Sequence, residues 1–172
     1  GLFLLVGMIY ERYHTRELDD LGGLAARLPL LAVALVFISL SSIGLPGLNG
    51  FVGEILSLAG MFARHPLYSV LGATGLVLGA WYLLSMLQSL LFGPLVEPHH
   101  AGHHDGHHVG DMTLREALAL APICVLCLWI GVRPQPLIDL IKPDVEAVAA
   151  LYAEGDVQIA AMADNVTKLV DE

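Results

Sequence analysis

Charge is what this sequence has least of. Of its 172 residues only 15% are charged while 56% are hydrophobic, and the mean hydropathy is +0.70. A water-soluble domain of this length does not carry that balance, so the chain reads as a polytopic membrane protein in contact with the lipid bilayer. Lysine and arginine number eight against 17 acids, and the net charge of −9 comes mostly from loops and tail. Nothing is basic enough for DNA or RNA, which excludes a nucleic-acid partner. Cysteine is nearly absent: Cys124 and Cys127 form a single pair inside an apolar run. With no second pair there is no zinc site, and thiolates are disfavoured in lipid, so both read as inert packing residues. No flavin, iron–sulfur or nucleotide motif occurs, so no cofactor is expected in this chain. The first residue is Gly1, and the apolar stretch Leu2–Tyr10 falls short of the ~20 residues a spanning helix needs. Without a basic n-region or a small-residue cleavage site before Glu11-Arg12 it does not read as a signal peptide, so the chain is expected to begin partway through a helix, as a fragment.

What the sequence has in quantity is long uncharged runs. Leu28 to Phe62 is 35 residues with a single charge. At 1.5 Å per residue that is about 52 Å if helical, too long for one straight crossing of a ~30 Å hydrocarbon core and too short for two. One crossing made of two half-helices, near 29–45 and 50–63, fits better, with the ends overlapping near mid-membrane. Leu67 to Val96 has no charge at all and supplies a span over 67–92; Leu114 to Val132 supplies another, with Pro122 inside and Trp129 toward the far headgroups. Residues 1–136 are therefore read as transmembrane helices (1–10, 29–63, 67–92, 114–132) interrupted by a His-rich loop at 93–113. Residues 137–172 are read as an acidic extramembrane tail of short amphipathic pieces. Segments 10–28 and 93–113 then share one side of the membrane, weakly cytoplasmic once basic residues far from a span are discounted.

The stretch Ser42-Ile43-Gly44-Leu45-Pro46-Gly47-Leu48-Asn49-Gly50-Phe51-Val52-Gly53-Glu54 organises the rest. Pro46 lacks an amide hydrogen and stands between glycines, so it frees backbone carbonyls at membrane depth, where protein or a wet cavity must satisfy them. Glu54 is the only charged side chain between Arg27 and Arg64. An acid in mid-membrane costs roughly 2.5–3.5 kcal/mol on insertion scales and marks a functional site by default. Burial disfavours the charged carboxylate and a nearby cation favours it; the two together make a proton switch. The bland alternative is a neutral glutamic acid hydrogen-bonded for packing.

Other residues admit weaker readings. Ser39, Ser41 and Ser42 precede the break, and back-bonding to helix carbonyls is favoured over holding water toward Glu54. His65 lies about three turns past Glu54 and reads as a solvated loop histidine rather than an exit group. Gly72, Gly75 and Gly79 fall close to one face and favour close helix packing. The loop around Pro98–His108 carries six histidines, good ligands for zinc, nickel or copper. No ligand pair inside a span would pass a metal onward, so the loop's binding reads as incidental and no metal site is assigned.

At Tyr10-Glu11-Arg12-Tyr13-His14-Thr15-Arg16, at the Gly22-Gly23-Leu24 turn, from Gly44 to Glu54, and at Gly131-Val132-Arg133-Pro134-Gln135-Pro136, the chain resembles one family closely. That family is the M subunit (chain 4) of proton-translocating NADH:quinone oxidoreductase, respiratory complex I. The resemblance covers roughly residues 1–140. It implies an all-α C-terminal fragment of a fourteen-helix antiporter-like fold with a broken transmembrane helix, here the end of helix 11, broken helix 12, and helices 13 and 14. It further implies a multi-pass subunit of the bacterial inner membrane, partnered by the other membrane subunits of complex I. The redox chemistry then lies elsewhere in the complex. Glu54 matches the family's helix-12 glutamate, taken as the terminal residue of a proton half-channel, while the central lysines are not in this chain. The His-rich loop and long acidic tail depart from the family pattern. A related subunit of a multi-subunit Na⁺/H⁺ antiporter is the close alternative. A cation-diffusion metal exporter would account for the histidine loop but not for the missing ligand pairs, and a purely structural remnant stays compatible with the residues.

Overall fold

The computed structural model describes residues 1–96, 110–150 and 152. The chain divides into two compact units, Gly1–Val132 and Arg133–Glu172. The first is all helical: α1 (Leu2–Tyr13), a 3-10 turn (Leu18–Asp20), α2 (Leu24–Arg27), α3 (Pro29–Ser42), α4 (Asn49–Arg64), α5 (Pro66–Leu91) and α6 (Leu114–Val132). Among the described residues of the second, a helix, α7, runs over 135–150, and its Leu140, Ile141, Val145 and Val148 are exposed. The rest of the tail, and the His-rich loop over 97–109, lie outside the described residues.

Local chemistry explains most boundaries. Pro29 and Pro66 open α3 and α5 at the first-turn positions where a missing amide hydrogen costs nothing. Helix α1 runs three residues past the expected end at Tyr10 because Arg12 is held by side-chain contacts, and it stops where His14 turns left-handed (φ 53°) with its amide on the Tyr10 carbonyl. Thr113 and Glu116 form a reciprocal cap on α6: the Glu116 carboxylate accepts from the Thr113 amide (2.6 Å), and the Thr113 hydroxyl accepts from the Glu116 amide (3.4 Å).

The core is leucine-rich. Leu5, Leu24, Leu28, Leu31, Leu35 and Leu91 are fully buried where α1, α2, α3 and the end of α5 meet. By contrast α5 and α6, each with a most apolar window of mean hydropathy 1.8, bury only 11% and 6% of those windows. Their apolar faces, including Val77, Leu78, Trp81, Leu118 and Val125, point outward. That is the surface of a helix solvated by lipid or by further helices, not the core of a soluble protein.

Helices α3 and α4 both pack against α5. Helix α3 starts beside the end of α5, where Gly22 and Val96 exchange two main-chain hydrogen bonds of 3.1 Å. Helix α4 ends where α5 begins, at His65. At 1.5 Å per residue α3 and α4 are about 21 and 24 Å long against about 39 Å for α5.

Candidate functional site

The break between α3 and α4 spans Ile43 to Leu48. Helix α3 ends at Ser42, three residues earlier than the sequence pattern suggests, because the chain turns on itself there. The amide of Ile43 reaches the Ser39 carbonyl (2.9 Å), that of Leu45 reaches back to Leu40 (3.1 Å), and that of Leu48 closes on Leu45 (3.0 Å). Gly44 and Gly47 carry φ of 82° and 95°, a region where a side chain is strained. Pro46 is exposed between them.

Three close approaches shape this break. Glu54, half-buried on α4, folds its carboxyl back against Gly44: a β-carbon there would lie 2.6 Å from Glu54 Cδ and 3.0 Å from Oε1. The Ser41 carbonyl sits against Gly50, and the Gly47 carbonyl against Gly131 of α6, both well inside the distance a β-carbon would need. Glycine at 44, 50 and 131 is thus what lets the Glu54 carboxyl, the Ser41 carbonyl and α6 approach the break so closely. On its other side Glu54 borders an open cleft of about 420 Å³ between α4 and α5, lined also by Gly50, Gly53, Ser57, Leu58, Gly72 and Leu76.

The serines do not all behave as expected. Ser41 Oγ donates to Oδ1 of Asn49, across the break, instead of back-bonding along α3. Ser39 Oγ is buried with no hydrogen-bond partner among the described residues. His65 is exposed at the α4–α5 corner with its ring edge-on to Tyr68, 5.6 Å between centroids. Of the three glycines on α5, Gly72 packs on Leu58, while at Gly75 and Gly79 an added β-carbon would meet nothing within 4 Å. Cys124 and Cys127 are free and half-buried. No cluster of metal-ligating side chains occurs among the described residues.

A second polar centre escaped the sequence reading. Arg12 forms a two-pronged ion pair with Glu116, Nη1 to Oε1 at 2.9 Å and Nη2 to Oε2 at 2.8 Å, and also donates to the carbonyls of Met8, Gly110 and Asp111. The Asp111 carboxylate in turn accepts from the amides of Leu30 (2.8 Å) and Leu31 (3.2 Å) at the start of α3. Residues 110–116 therefore tie the ends of α1, α3 and α6 together. The Thr-x-x-Glu pattern at 113–116 was the one local signal for this centre; its partners lie about a hundred residues away in sequence.

Residues 1–79 match the family described as NADH:quinone oxidoreductase/Mrp antiporter, transmembrane. The chain is 38% identical over 152 residues to NADH-quinone oxidoreductase subunit M of Rhodobacter capsulatus, covering 88% of this chain and 28% of that protein. It is 34% identical over 156 residues to the same subunit of Mycobacterium tuberculosis, covering 91% and 27%. Its fold superimposes on a chain of respiratory complex I from Thermus thermophilus with bound NADH at a TM-score of 0.73 and 33% identity, over 87% of this chain and 30% of that one. It thus spans less than a third of the length of these relatives. A helix broken at Gly44–Gly47, outward-facing apolar spans and these likenesses converge: over most of its length the chain is similar to a segment of the antiporter-like membrane subunit M of NADH:quinone oxidoreductase.

Proposed function

We propose that the chain is part of a proton-translocating subunit of NADH:quinone oxidoreductase in a bacterial inner membrane, and that Glu54 relays protons at its broken helix. The observation that carries this reading is the seat of Glu54: the sole charged side chain between Arg27 and Arg64 lies against the Gly44 turn, where the regular helix has been opened. A carboxyl there exchanges a proton with whatever group reaches the break. Electron transfer takes place in other subunits, which are its partners together with the bilayer; this chain carries no cofactor and acts as a conduit.

The test replaces Glu54 in the intact complex and measures proton uptake into vesicles driven by NADH oxidation, per assembled complex. Glu54→Gln removes the exchangeable proton at constant size and abolishes most transport while assembly survives. Glu54→Asp keeps the acid and does less harm. A packing role predicts the opposite order, since Gln replaces a neutral acid well while Asp leaves a gap. Near-normal pumping in the Gln variant refutes the relay. The family description also names Mrp antiporters, which supports a second reading as a Na⁺/H⁺ antiporter subunit; proton movement driven by a Na⁺ gradient without NADH would favour it.

A further inference from the structure

We propose that Ser41 and Asn49 form a latch across the helix break, and that Asn49 is a positioning residue for Glu54. The consequence for transport rests on the relay reading above, whereas the effect on the placement of Glu54 does not. The main-chain hydrogen bonds of the break close each turn locally: Ile43 on Ser39, Leu45 on Leu40, Leu48 on Leu45. None of these joins α3 to α4. The bond between Ser41 Oγ and the Asn49 side chain does, from the last turn of one half-helix to the first residue of the other.

Its setting makes it effective. Ser41 is 5% exposed and Asn49 is half-buried, so water competes poorly for the bond, and removing either partner leaves the other unsatisfied. A hydroxyl both donates and accepts, so the bond stands whichever way the Asn49 amide is turned. Beside it the Ser41 carbonyl rests on Gly50, where no side chain keeps the two half-helices apart. Nothing in that smooth contact fixes the height of α4 along α3; the latch does. A slip of α4 by one residue moves it about 1.5 Å and turns it by about 100°, which carries Glu54 off Gly44. Asn49 does not touch Glu54 in this scheme. It sets where the helix bearing Glu54 begins.

The experiment uses the intact complex in membranes with dicyclohexylcarbodiimide, an apolar carboxyl reagent, as probe of Glu54. Modification of the Glu54 peptide is followed by mass spectrometry against pH, with Glu54→Gln as background, and NADH-driven proton uptake is measured in parallel. Ser41→Ala and Asn49→Ala each change the Glu54 modification rate about fivefold, the factor expected for one net hydrogen bond. The double variant changes it no further, because the two residues act as one unit, and Ser41→Thr, which keeps the hydroxyl, restores the original profile. Unchanged modification in both single variants, or effects that add in the double variant, overturns the latch. If Asn49→Ala fails to assemble, the contrast between Ser41→Ala and Ser41→Thr decides alone. Normal pumping in Glu54→Gln with a shifted modification profile in Ser41→Ala refutes the relay and leaves the latch standing. Lost pumping in Glu54→Gln with no shift in the latch variants does the reverse.

Discussion

Placing alanine at Gly44 and at Gly47 separates the strain of the break from the position of the acid. Both glycines hold positive φ, 82° and 95°, so each alanine costs about 1–3 kcal/mol of backbone strain. At Gly47 that is the whole effect, because nothing lies within 4 Å of the new methyl group. At Gly44 the methyl carbon would sit 2.6 Å from Glu54 Cδ, against a comfortable carbon–carbon separation of ~3.5–4.0 Å. The carboxyl is the free end of a flexible side chain, so it moves away by about 1 Å rather than unfolding the turn. Displacements of ~1 Å at reacting groups cost up to about a hundredfold in rate, and for the proposed relay a loss of about tenfold is expected. The assay is NADH-driven proton uptake divided by the amount of assembled complex. Both variants assemble less well; Gly47→Ala then pumps normally per complex, and Gly44→Ala does not. Equal pumping per complex in the two variants would falsify the assignment of Glu54 to the break.

Two further outcomes follow from the geometry. Arg12 and Glu116 are only 12% and 17% exposed, so Arg12→Gln or Glu116→Gln strands a mostly buried charge and destabilises the subunit by about 2–3 kcal/mol, below the range for fully buried pairs. Joining both changes recovers part of that loss, read as retention of the subunit in the membrane domain on heating; equal loss in the double variant would mean the pair has no mutual stabilisation. Cysteines placed at Arg27 and Arg64, at the two ends of the α3–α4 pair, are labelled by impermeant reagents from opposite sides of the membrane, and labelling of both from one side would show that the pair re-enters instead of crossing.

Much of this architecture was legible in the residues because its causes are local. Pro46 between Gly44 and Gly47 cannot continue a helix, and that is a property of those three residues wherever they stand. The capping pattern at Thr113 and Glu116 is equally local, although the neighbouring charge of Arg115 makes the pair look like ordinary headgroup-facing residues. The register at which α3 ends was not readable: Ser42 is followed by Ile43, a residue with no objection to a helix, and the early stop comes from the Leu45 amide turning back to Leu40. The serines mislead for a related reason. Back-bonding is what an isolated helix offers a hydroxyl, and only a second helix end brought within reach gives Ser41 a better acceptor in Asn49.

The sequence by itself determined the apolar spans, the place where one of them breaks and the single acid that follows, because transfer into lipid depends on the length and polarity of contiguous residues. Tertiary structure decided what that acid faces and what holds it there. The carboxyl of Glu54 against Gly44, the approach of Gly131 to the Gly47 carbonyl, the reach of Asp111 to the first amides of α3, and the grip of Arg12 on Glu116 all join residues brought together by the packing of helices. Side-chain charge and helix periodicity are written in the neighbourhood of each residue. The partner that a folded-back helix delivers is not, and contacts between residues about a hundred positions apart exist only once the intervening spans have chosen their neighbours.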